Sequence, residues 1–560
     1  MAKTLMAVDA GTGSVRAVLF SLEGEQLGCV QQEWTHKEDP RYPGSMDFDW
    51  VHNWDLARSC IRGVIEQTGV DPREIAAVST TCMREGIVLY DQQGQEIWAC
   101  ANVDARSDDE VAQLVHMNPE LEKEIYRESG QTYALGALPR LFWVKNKMPQ
   151  VYEKTAMCTM FNDWLIYKMT GVFSSEPSNA CTTGIFNLEK RDWDDRIAAS
   201  IGLKTGIFPK ISECGTVVAH VDAKGAAQTG LAEGTPVVAG GGDAQLGCVG
   251  VGVVDANQAA IFGGSFWQYE YNTDQAKTDE HCRVRVNCHS VPGIWQYEAL
   301  AFKPGMVMRW FRDGFCQYEK ELAKTTGRDP YDLMNEKAKD IPAGCYGMMC
   351  AFSDVMNYIS WRHASPTFIN FDFDPEKFNR YTFYRAIMEN TALVTYGHMQ
   401  LVRESTGNIP QEVVFASGAS KSELWCQILC DVLGIPVSVP NVKEATALGA
   451  AIMAGHGVGL FPDISATAKK LVHIQRRLKT REFASEQREL YNTFIEETPH
   501  YRDNMDAQER SEEHGDHLHD AERVPDSGFG DAGGADRAQP LGQDAVGLPS
   551  EAAENPIHAA

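Results

Sequence analysis

The first twenty residues contain a strand, a turn of small residues and a second strand. The apolar run 5–8 leads into Asp9-Ala10-Gly11-Thr12-Gly13-Ser14, and residues 15–20 are again rich in β-forming side chains. This pattern predicts a β-hairpin whose turn can hold phosphate oxygens through backbone N–H groups and hydroxyls. It is not a Rossmann fingerprint, because a third glycine is missing and a strand rather than a helix follows. Asp9, at the end of the first strand, is placed to hold Mg²⁺ through water.

A second segment, Gly240-Gly241-Gly242-Asp243-Ala244, places a carboxylate on a predicted glycine turn. Because glycines add no side-chain bulk, a phosphate and a substrate hydroxyl can both approach Asp243, which suits a general base. The alternative is a tight turn that contains an Asp for structural reasons. The sequence contains neither a Gly-x-x-x-x-Gly-Lys-Ser/Thr loop nor a His-Arg-Asp catalytic loop, so those two nucleotide-binding routes are excluded.

The length of 560 residues is too great for a single core and predicts at least two domains. A formal net charge of −26 argues against nucleic acid and anionic membranes as partners, because both would be repelled. No signal peptide opens the chain, and no apolar run approaches the ~18 residues of a membrane span. Fifteen cysteines occur without a Cys-x-x-Cys pair, several of them inside apolar runs, which predicts reduced thiols. We therefore expect a cytoplasmic protein.

Strand-like and helix-like segments alternate, which predicts a mixed α/β fold. We expect strands at 5–8, 15–20, 75–80, 86–90 and 412–416, glycine-rich strands within 236–254, and helices at 53–67, 106–127, 380–404 and 420–433. Residues 258–265 repeat the order of strand and small-residue turn seen near the N-terminus, although this echo is too weak to define a repeat. From Tyr501 onward, 14 acidic residues face 4 arginines and few large apolar residues remain, which predicts a disordered acidic tail.

Four turns rich in glycine and serine recur in order along the chain, at 9–14, 240–243, 263–265 and 416–420. Together with the small residues of 441–450, these turns resemble the FGGY carbohydrate kinases, a branch of the actin-like ATPase superfamily. The resemblance covers roughly residues 4–475. It implies an α/β fold of two actin-like (ribonuclease H-like) domains with ATP in the cleft between them. The corresponding bounds are 1–255 for the N-terminal domain, 256–482 for the C-terminal domain and 483–560 for the acidic tail.

The family resemblance also assigns roles to individual residues. Asp243 matches the general base, and Asp9 matches the Mg²⁺-associated carboxylate. Both are therefore expected near the metal ion, which they can bind through water. Contacts to nucleotide or phosphate are implied for Gly11, Thr12, Gly13, Gly264, Ser265, Gly305, Ser417 and Gly418. Ser417 departs from the family, where glycine is common. The implied cofactors are ATP and Mg²⁺, and the phosphocarrier protein HPr is a candidate partner, because relatives are controlled by sugar-phosphotransferase proteins.

Arg84 and Glu85, which follow a predicted strand, are candidate substrate-binding residues. Their donor fork and acceptor pair can bind adjacent oxygens of a small polyol or carbonyl compound, although a surface ion pair is the alternative. Glycerol kinases carry a similar Arg-Glu, whereas xylulose kinases usually show Met-His-Gly. The family resemblance further implies Asp104 and Arg106 as substrate residues, although Asn102 stands where an aromatic residue is common.

Four longer stretches, at 82–90, 98–106, 308–313 and 442–449, are most similar to one branch of this family. Its implied substrate is 4,5-dihydroxypentane-2,3-dione, which is phosphorylated on its terminal hydroxyl. Two alternatives remain open. One is a glycerol or ketose kinase with the same machinery, and the other is an actin-like ATPase that phosphorylates no small molecule.

Overall fold

The computed structural model describes residues 3–134, 136–301, 303–360 and 367–481, so the predicted acidic tail lies outside the described residues. Within these ranges the strands are β1 Thr4–Ala10, β2 Ser14–Ser21, β3 Gln26–Glu33, β4 Ile75–Cys82, β5 Ile87–Tyr90, β6 Glu96–Cys100, β7 Met157–Thr159, β8 Phe186–Asn187, β9 Asp192–Trp193, β10 Val217–His220, β11 Pro236–Gly242, β12 Ala259–Gly263, β13 Trp267–Thr273, β14 Arg285–Cys288, β15 Trp295–Ala301, β16 Met349–Ala351, β17 Thr367–Ile369, β18 Val413–Ala416, β19 Val437–Pro440 and β20 Ile474–Leu478. The α-helices are α1 Trp50–Thr68, α2 Asp108–Met117, α3 Leu121–Ser129, α4 Ala137–Lys147, α5 Pro149–Lys154, α6 Phe161–Thr170, α7 Pro177–Ala180, α8 Asp195–Ser200, α9 Ala223–Thr229, α10 Asp243–Gly250, α11 Pro304–Phe315, α12 Gln317–Thr326, α13 Pro330–Ala338, α14 Arg380–Thr406, α15 Glu423–Leu433, α16 Ala445–Gly457 and α17 Ile464–Leu471.

The first large sheet has six strands in the order β10-β11-β4-β1-β2-β3. Strands β1 and β2 form the predicted N-terminal hairpin, in which Thr4 pairs with Ser21 and Ala10 with Val15. Strands β4 and β11 continue the sheet in parallel with β1. All seven residues of β1 are buried, because α16 covers one face of the sheet and α1 packs on the other. The carboxyl ends of β1, β4 and β11 therefore meet at one edge.

The second large sheet repeats this topology. Its order is β14-β15-β13-β12-β18-β19-β20, with β12 at the position that β1 holds in the first sheet. As in the first sheet, β12 and β13 form an antiparallel hairpin, while β18 and β19 continue in parallel with β12. The echo noted at residues 258–265 is therefore the start of a second copy of the same sheet. The domain bounds of 1–255 and 256–482 themselves stay a prediction.

Two predicted elements were wrong. The region 106–127 contains two helices, α2 and α3, because Pro119 disfavours helical backbone at Asn118 and ends the first helix. The region 236–254 contains only one strand, β11, and continues as helix α10 instead of a further strand. By contrast, the helices predicted at 53–67, 380–404 and 420–433 correspond to α1, α14 and α15.

Helix α16 contains the small residues of the motif at 441–450 and packs directly on α10. A Cβ added to Gly449 would lie 2.0 Å from the carbonyl oxygen of Leu246, and one added to Gly250 would lie 1.8 Å from that of Ala445. The two helix backbones therefore touch, which only glycine permits at these positions. Since α10 begins at Asp243, this contact fixes the position of the helix that carries the predicted base.

The cysteines fit the prediction of reduced thiols, because all fifteen are free and all but Cys29 are buried. Burial also raises the pKa of several of them, including Cys60 to about 11. In the part of the chain that the structure describes, no helix combines the length and apolar character of a membrane span.

Candidate active site

Asp243 lies where β11 ends and α10 begins, and not on a glycine turn as predicted. None of the three preceding glycines has a positive φ, so turn geometry does not explain them. The three glycines are needed instead because neighbouring parts of the protein approach their backbone closely. A Cβ on Gly240 would lie 1.6 Å from the carbonyl oxygen of Thr80 on β4, and a Cβ on Gly242 would lie 2.9 Å from the Arg84 side chain. The glycines therefore bring β11, and with it Asp243, against β4 and Arg84.

The Asp243 carboxylate is the first side chain of its helix and is held by local hydrogen bonds. It accepts from the backbone N–H of Ala244 at 2.8 Å and from Arg84 Nε at 3.2 Å. Burial raises its pKa above the ordinary value, and the positive charge of Arg84 opposes that rise. With 42% of its side-chain surface still accessible, the carboxylate remains open to a substrate and to water that limits the effect of burial.

A small cavity of about 160 Å³ brings several predicted residues together. Thr12, Arg84, Glu85 and Asp243 all line it, although they are far apart in sequence. The remaining lining residues are Asn102, Val103, Phe266, Trp267, Gln268, Arg285, Leu300 and Ala301. The cavity is smaller than the roughly 300–1,000 Å³ of sites for drug-sized ligands, so it suits a compact substrate.

A buried ion network lies behind this cavity and joins the two halves of the chain. Arg84 donates two hydrogen bonds to Glu298, the one from Nη2 at 3.0 Å, and Arg285 Nη1 donates to the same carboxylate at 3.3 Å. Arg285 Nη2 lies 2.6 Å from Glu85 Oε1. Sequence reasoning missed Arg285 and Glu298. The available signal was charged residues alternating with apolar ones in the runs that form β14 and β15, which by itself is typical of a solvent-facing strand.

A third carboxyl group, Glu270, faces the same network. It sits directly opposite Glu298 in the β13–β15 register, and both side chains are completely buried. Burial raises the pKa of Glu270 well above its ordinary value, and neither of its oxygens has a hydrogen-bond partner among the described residues. Burial also acts to raise the pKa of Glu298, but Arg84 and Arg285 outweigh it and lower the pKa. Glu298 is therefore the ionised member of the pair.

The turn of the N-terminal hairpin is held rigidly beside the cavity. Trp34 Nε1 donates to the carbonyl oxygens of Gly11 and Thr12 at 3.0 and 3.1 Å, and His36 Nε2 lies 2.7 Å from the Thr12 carbonyl oxygen. Asn102 donates to the Thr12 hydroxyl at 3.0 Å, so the residue that replaces the family's usual aromatic supports the turn. A Cβ on Gly13 would meet nothing within 4 Å, which leaves open space for a phosphate group.

Asp9 lies at the buried end of the same hairpin. Its carboxylate is 3.3 Å from Arg16 Nε, and Arg16 in turn bonds to Glu444 at 2.6 Å. Burial raises the pKa of Asp9 to about 6, and repulsion from Asp243 and Glu444 adds to this rise, while Arg16 opposes it. Asp9 and Asp243 are thus close enough to interact electrostatically, and both would be favoured as carboxylates by a cation between them.

A larger cleft of about 630 Å³ collects the predicted nucleotide residues of the second half. Gly264, Ser265, Gly305 and Gly418 all line it. Helix α11 begins directly against the turn after β12, since a Cβ on Gly305 would lie 2.0 Å from the Gly264 carbonyl oxygen. The other residues that line the cleft are Gly263, Met308, Arg309, Arg312, Asp329, Tyr331, Asp332, Asn335, Tyr384, Ala419, Lys421, Ser422 and Trp425. Ser417 instead lines a neighbouring groove that also includes Gly418.

Two predicted substrate residues, Asp104 and Arg106, do not line the small cavity in the described structure. Arg106 Nε binds both Asp104 oxygens at 3.0 and 2.8 Å and its Nη2 also donates to Asp47. The guanidinium lies over the rings of Trp98 and Trp143, at 5.3 and 4.9 Å from their centroids. Their role toward substrate stays a prediction, and the contacts observed are those of a buried ion pair.

Comparison with known proteins places this geometry in a family. Residues 4–250 match the N-terminal domain of the FGGY family of carbohydrate kinases, and residues 268–458 match its C-terminal domain. The chain belongs to the FGGY family of carbohydrate kinases. Like the other members of this family it is an ATP-dependent phosphotransferase with an alcohol group as acceptor, which confirms the predicted enzyme class.

Curated relatives of this FGGY kinase cover most of its length. An autoinducer-2 kinase from Enterobacter sp. (strain 638) is 48% identical over 88% of this chain and 92% of its own. One from Yersinia enterocolitica is 49% identical over 84% of this chain and 89% of its own. The similarity predicted from the four longer sequence stretches is confirmed by these matches.

Solved structures confirm the predicted fold. A xylulose kinase from Rhodospirillum rubrum matches with a TM-score of 0.78 and 23% identity, over 88% of this chain and 98% of its own. A Plasmodium falciparum glycerol kinase with ADP matches with a TM-score of 0.77 and 17% identity, over 89% of this chain and 98% of its own. At this level of identity the structural match bears on the fold alone.

Proposed function

We propose that this kinase phosphorylates autoinducer-2, 4,5-dihydroxypentane-2,3-dione, on its terminal hydroxyl. The observation that carries the proposal is the 48–49% identity to relatives named autoinducer-2 kinase over 84–88% of the chain. The cavity supports it physically, because a compact space with Arg84, Glu85 and Asp243 offers donors and acceptors to a small oxygen-rich molecule.

In the proposed reaction the terminal hydroxyl oxygen of the dione attacks the γ-phosphorus of ATP in line with the bond to the departing ADP. Asp243 takes the hydroxyl proton as the new oxygen–phosphorus bond forms and the bond to the β-phosphate oxygen breaks. Its position at the start of α10 suits this role, because the carboxylate lines the cavity and 42% of the side-chain surface stays accessible to a substrate. Arg84 holds the carboxylate in place from the side.

Mg²⁺ fits the donor chemistry of the site. Asp9 and Asp243 supply two interacting carboxylates, and Mg²⁺ is usually bound by one or two carboxylates together with substrate phosphates and water. The described residues contain no group of three or more metal-binding side chains, so the protein alone does not form a closed metal cage. When bound, the ion would neutralise charge that builds up on the transferred phosphate.

The larger cleft is the proposed site of the nucleotide. Gly264, Ser265, Gly305 and Gly418 line it, and the hairpin turn at 11–13 would meet the terminal phosphates near the small cavity. Ser417 is the weakest member of the predicted set, because it faces the neighbouring groove.

The test is incubation of the full chain with the dione and MgATP, followed by mass spectrometry and NMR. We expect a mass gain of one phosphoryl group, located on the terminal oxygen. Asp243→Asn should lower turnover by roughly 10²-fold or more while ATP binding is retained. Asp255→Asn is a matched control, because Asp255 forms an exposed pair with Lys469 and should change turnover little.

Other outcomes separate the alternatives. Faster phosphorylation of glycerol or a ketose than of the dione would identify a different acceptor for the same machinery. ATP hydrolysis that no acceptor changes would favour an actin-like ATPase. Control by HPr stays a prediction from the family resemblance, and titration of the kinase with purified HPr measures it. The cytoplasmic location stays a prediction from the cysteine pattern and the sequence signals.

A further inference from the structure

Arg285 is a buried cation on the second half of the chain, and it lines the small cavity to which both halves contribute. It lies on β14, is 1% exposed, and lines the small cavity together with Arg84, Glu85 and Asp243. The mechanism described above does not use it. A fully buried arginine at the wall of a substrate cavity requires an explanation, because its desolvation is costly.

Only part of the Arg285 guanidinium is used by the protein. Nε donates to Gln131 Oε1 at 2.7 Å and Nη1 donates to Glu298 at 3.3 Å. Nη2 forms an ion pair with Glu85 Oε1 at 2.6 Å, although the contact is not aligned as a hydrogen bond. A guanidinium carries five N–H donors, so these three contacts leave two of them for a ligand at the wall of the cavity.

Arg285 makes no described hydrogen bond or ion pair with the proposed base, Asp243. Arg84 contacts Asp243 directly, whereas the described hydrogen bonds and ion pairs of Arg285 go to Gln131, Glu298 and Glu85. A linear substrate with its hydroxyl at Asp243 would thus present its other end to Arg285. Arginine has only donors, so it recognises oxygens that accept hydrogen bonds, such as carbonyl oxygens.

We propose that Arg285 binds the carbonyl oxygens of the substrate and gives the enzyme its preference for a dione over a plain alcohol. This inference rests on the proposed function, in which the substrate carries two neighbouring carbonyl groups. Glu85, paired with Arg285, accepts a hydrogen bond from the remaining hydroxyl of the substrate.

The test compares the dione with pentane-1,2-diol, which has the same carbon chain and hydroxyls but lacks both carbonyl oxygens. The measured quantity is the ratio of kcat/KM for the two acceptors. Arg285→Met should lower both rates, because Glu298 and Glu85 lose their partner, and should lower the dione-to-diol ratio by a further 10- to 100-fold, about the value of one or two charged hydrogen bonds. Arg285→Lys keeps the charge but loses the planar fork, so its ratio should fall as well.

Arg191→Met is the matched control. Arg191 is another mostly buried arginine that contacts both halves, through Glu213 and the carbonyl oxygens of His289 and Ile294, but it does not line the cavity. Its loss should leave the dione-to-diol ratio within about threefold of the wild-type value. A purely structural role for Arg285 would move the two rates together, as in this control.

Three results decide the matter. A lower ratio in the Arg285 variants but not in Arg191→Met supports the inference. A wild-type ratio in folded Arg285→Lys overturns it and leaves the proposed function intact, and this variant decides the question if Arg285→Met does not fold. A wild-type enzyme that leaves the dione unphosphorylated overturns the proposed function, and with it this inference, before any variant is made.

Discussion

Replacing Ser417 with glycine should stabilise the protein, because Ser417 holds a backbone conformation that a side chain opposes. Its φ is 76° and its ψ is −167°, a region open essentially only to glycine. The Ser417 carbonyl oxygen accepts from both the N–H and the hydroxyl of Ser420, at 3.2 and 2.8 Å, which fixes this turn between β18 and the nucleotide cleft. The surrounding contacts therefore impose the strain.

The expected magnitude follows from two opposing effects. A non-glycine residue in this region costs about 1–3 kcal/mol. The Ser417 side chain is exposed, so its removal sacrifices little packing. Glycine gains more freedom in the unfolded chain, which offsets roughly 0.4–1 kcal/mol of the relief. We expect the free energy of unfolding to rise by about 1–2 kcal/mol in Ser417→Gly.

The assay is urea denaturation followed by tryptophan fluorescence, with Ser422→Gly as the matched control. Ser422 undergoes the same substitution five residues further on, but its φ is −78° and its hydroxyl accepts from the Trp425 N–H as the N-cap of α15. Its loss should lower stability by a few tenths of a kcal/mol. If both variants lose stability, the strain assigned to Ser417 does not exist and the reasoning is refuted.

Three further predictions follow from the site. Gly240→Ala should abolish folding or cost well over 1–3 kcal/mol of unfolding free energy, because its Cβ would overlap the Thr80 carbonyl oxygen. Gly314→Ala, where a Cβ would meet open space, should not destabilise the protein, and thermal denaturation compares the two variants. Glu298→Gln should cost about 3–5 kcal/mol of unfolding free energy in urea, since it removes the shared partner of two buried arginines. The raised pKa of Asp9 should lower the free energy of unfolding of the ligand-free protein by about 2 kcal/mol between pH 4 and 6, since the folded state holds a proton that the unfolded state has released. Urea denaturation at both pH values should show a fall that is smaller by this amount in Asp9→Asn.

The N-terminal hairpin and the order of the small-residue turns could be predicted because their signals are local. Two apolar runs around Gly11 and Gly13 specify a hairpin without help from the rest of the chain. The four turns at 9–14, 240–243, 263–265 and 416–420 then identify the family by their order alone. Each of these features depends on neighbouring residues in sequence.

The start of α10 at Asp243 was missed because the glycines before it serve a tertiary purpose. Three consecutive glycines favour a turn when only local propensity is considered. Here Gly240 is required because the backbone of Thr80 lies against it. A contact between residues 160 positions apart leaves no local trace, so strand and turn could not be distinguished.

Glu270, Arg285 and Glu298 were missed for a related reason. Each sits in a strand with apolar neighbours, and an alternating pattern with charges is typical of a sheet with one face in water. In this fold that face meets the other half of the chain, so all three are buried. A strand with one face in water and a strand with one face against the other half of the chain can show the same sequence pattern. Only the folded structure distinguishes them.

The buried charges between the two sheets also bear on how the site can open. A buried ion network adds little net stability compared with an apolar contact of similar size, because its members lose their hydration. When Arg84 separates from Glu298 and Glu85 separates from Arg285, water regains access to these four charges, whereas an apolar face would lose its burial energy entirely. A charged contact thus lowers the free energy needed to part the two halves and to admit substrate. The ion network lies directly behind the substrate cavity, where a low free-energy cost of opening is useful.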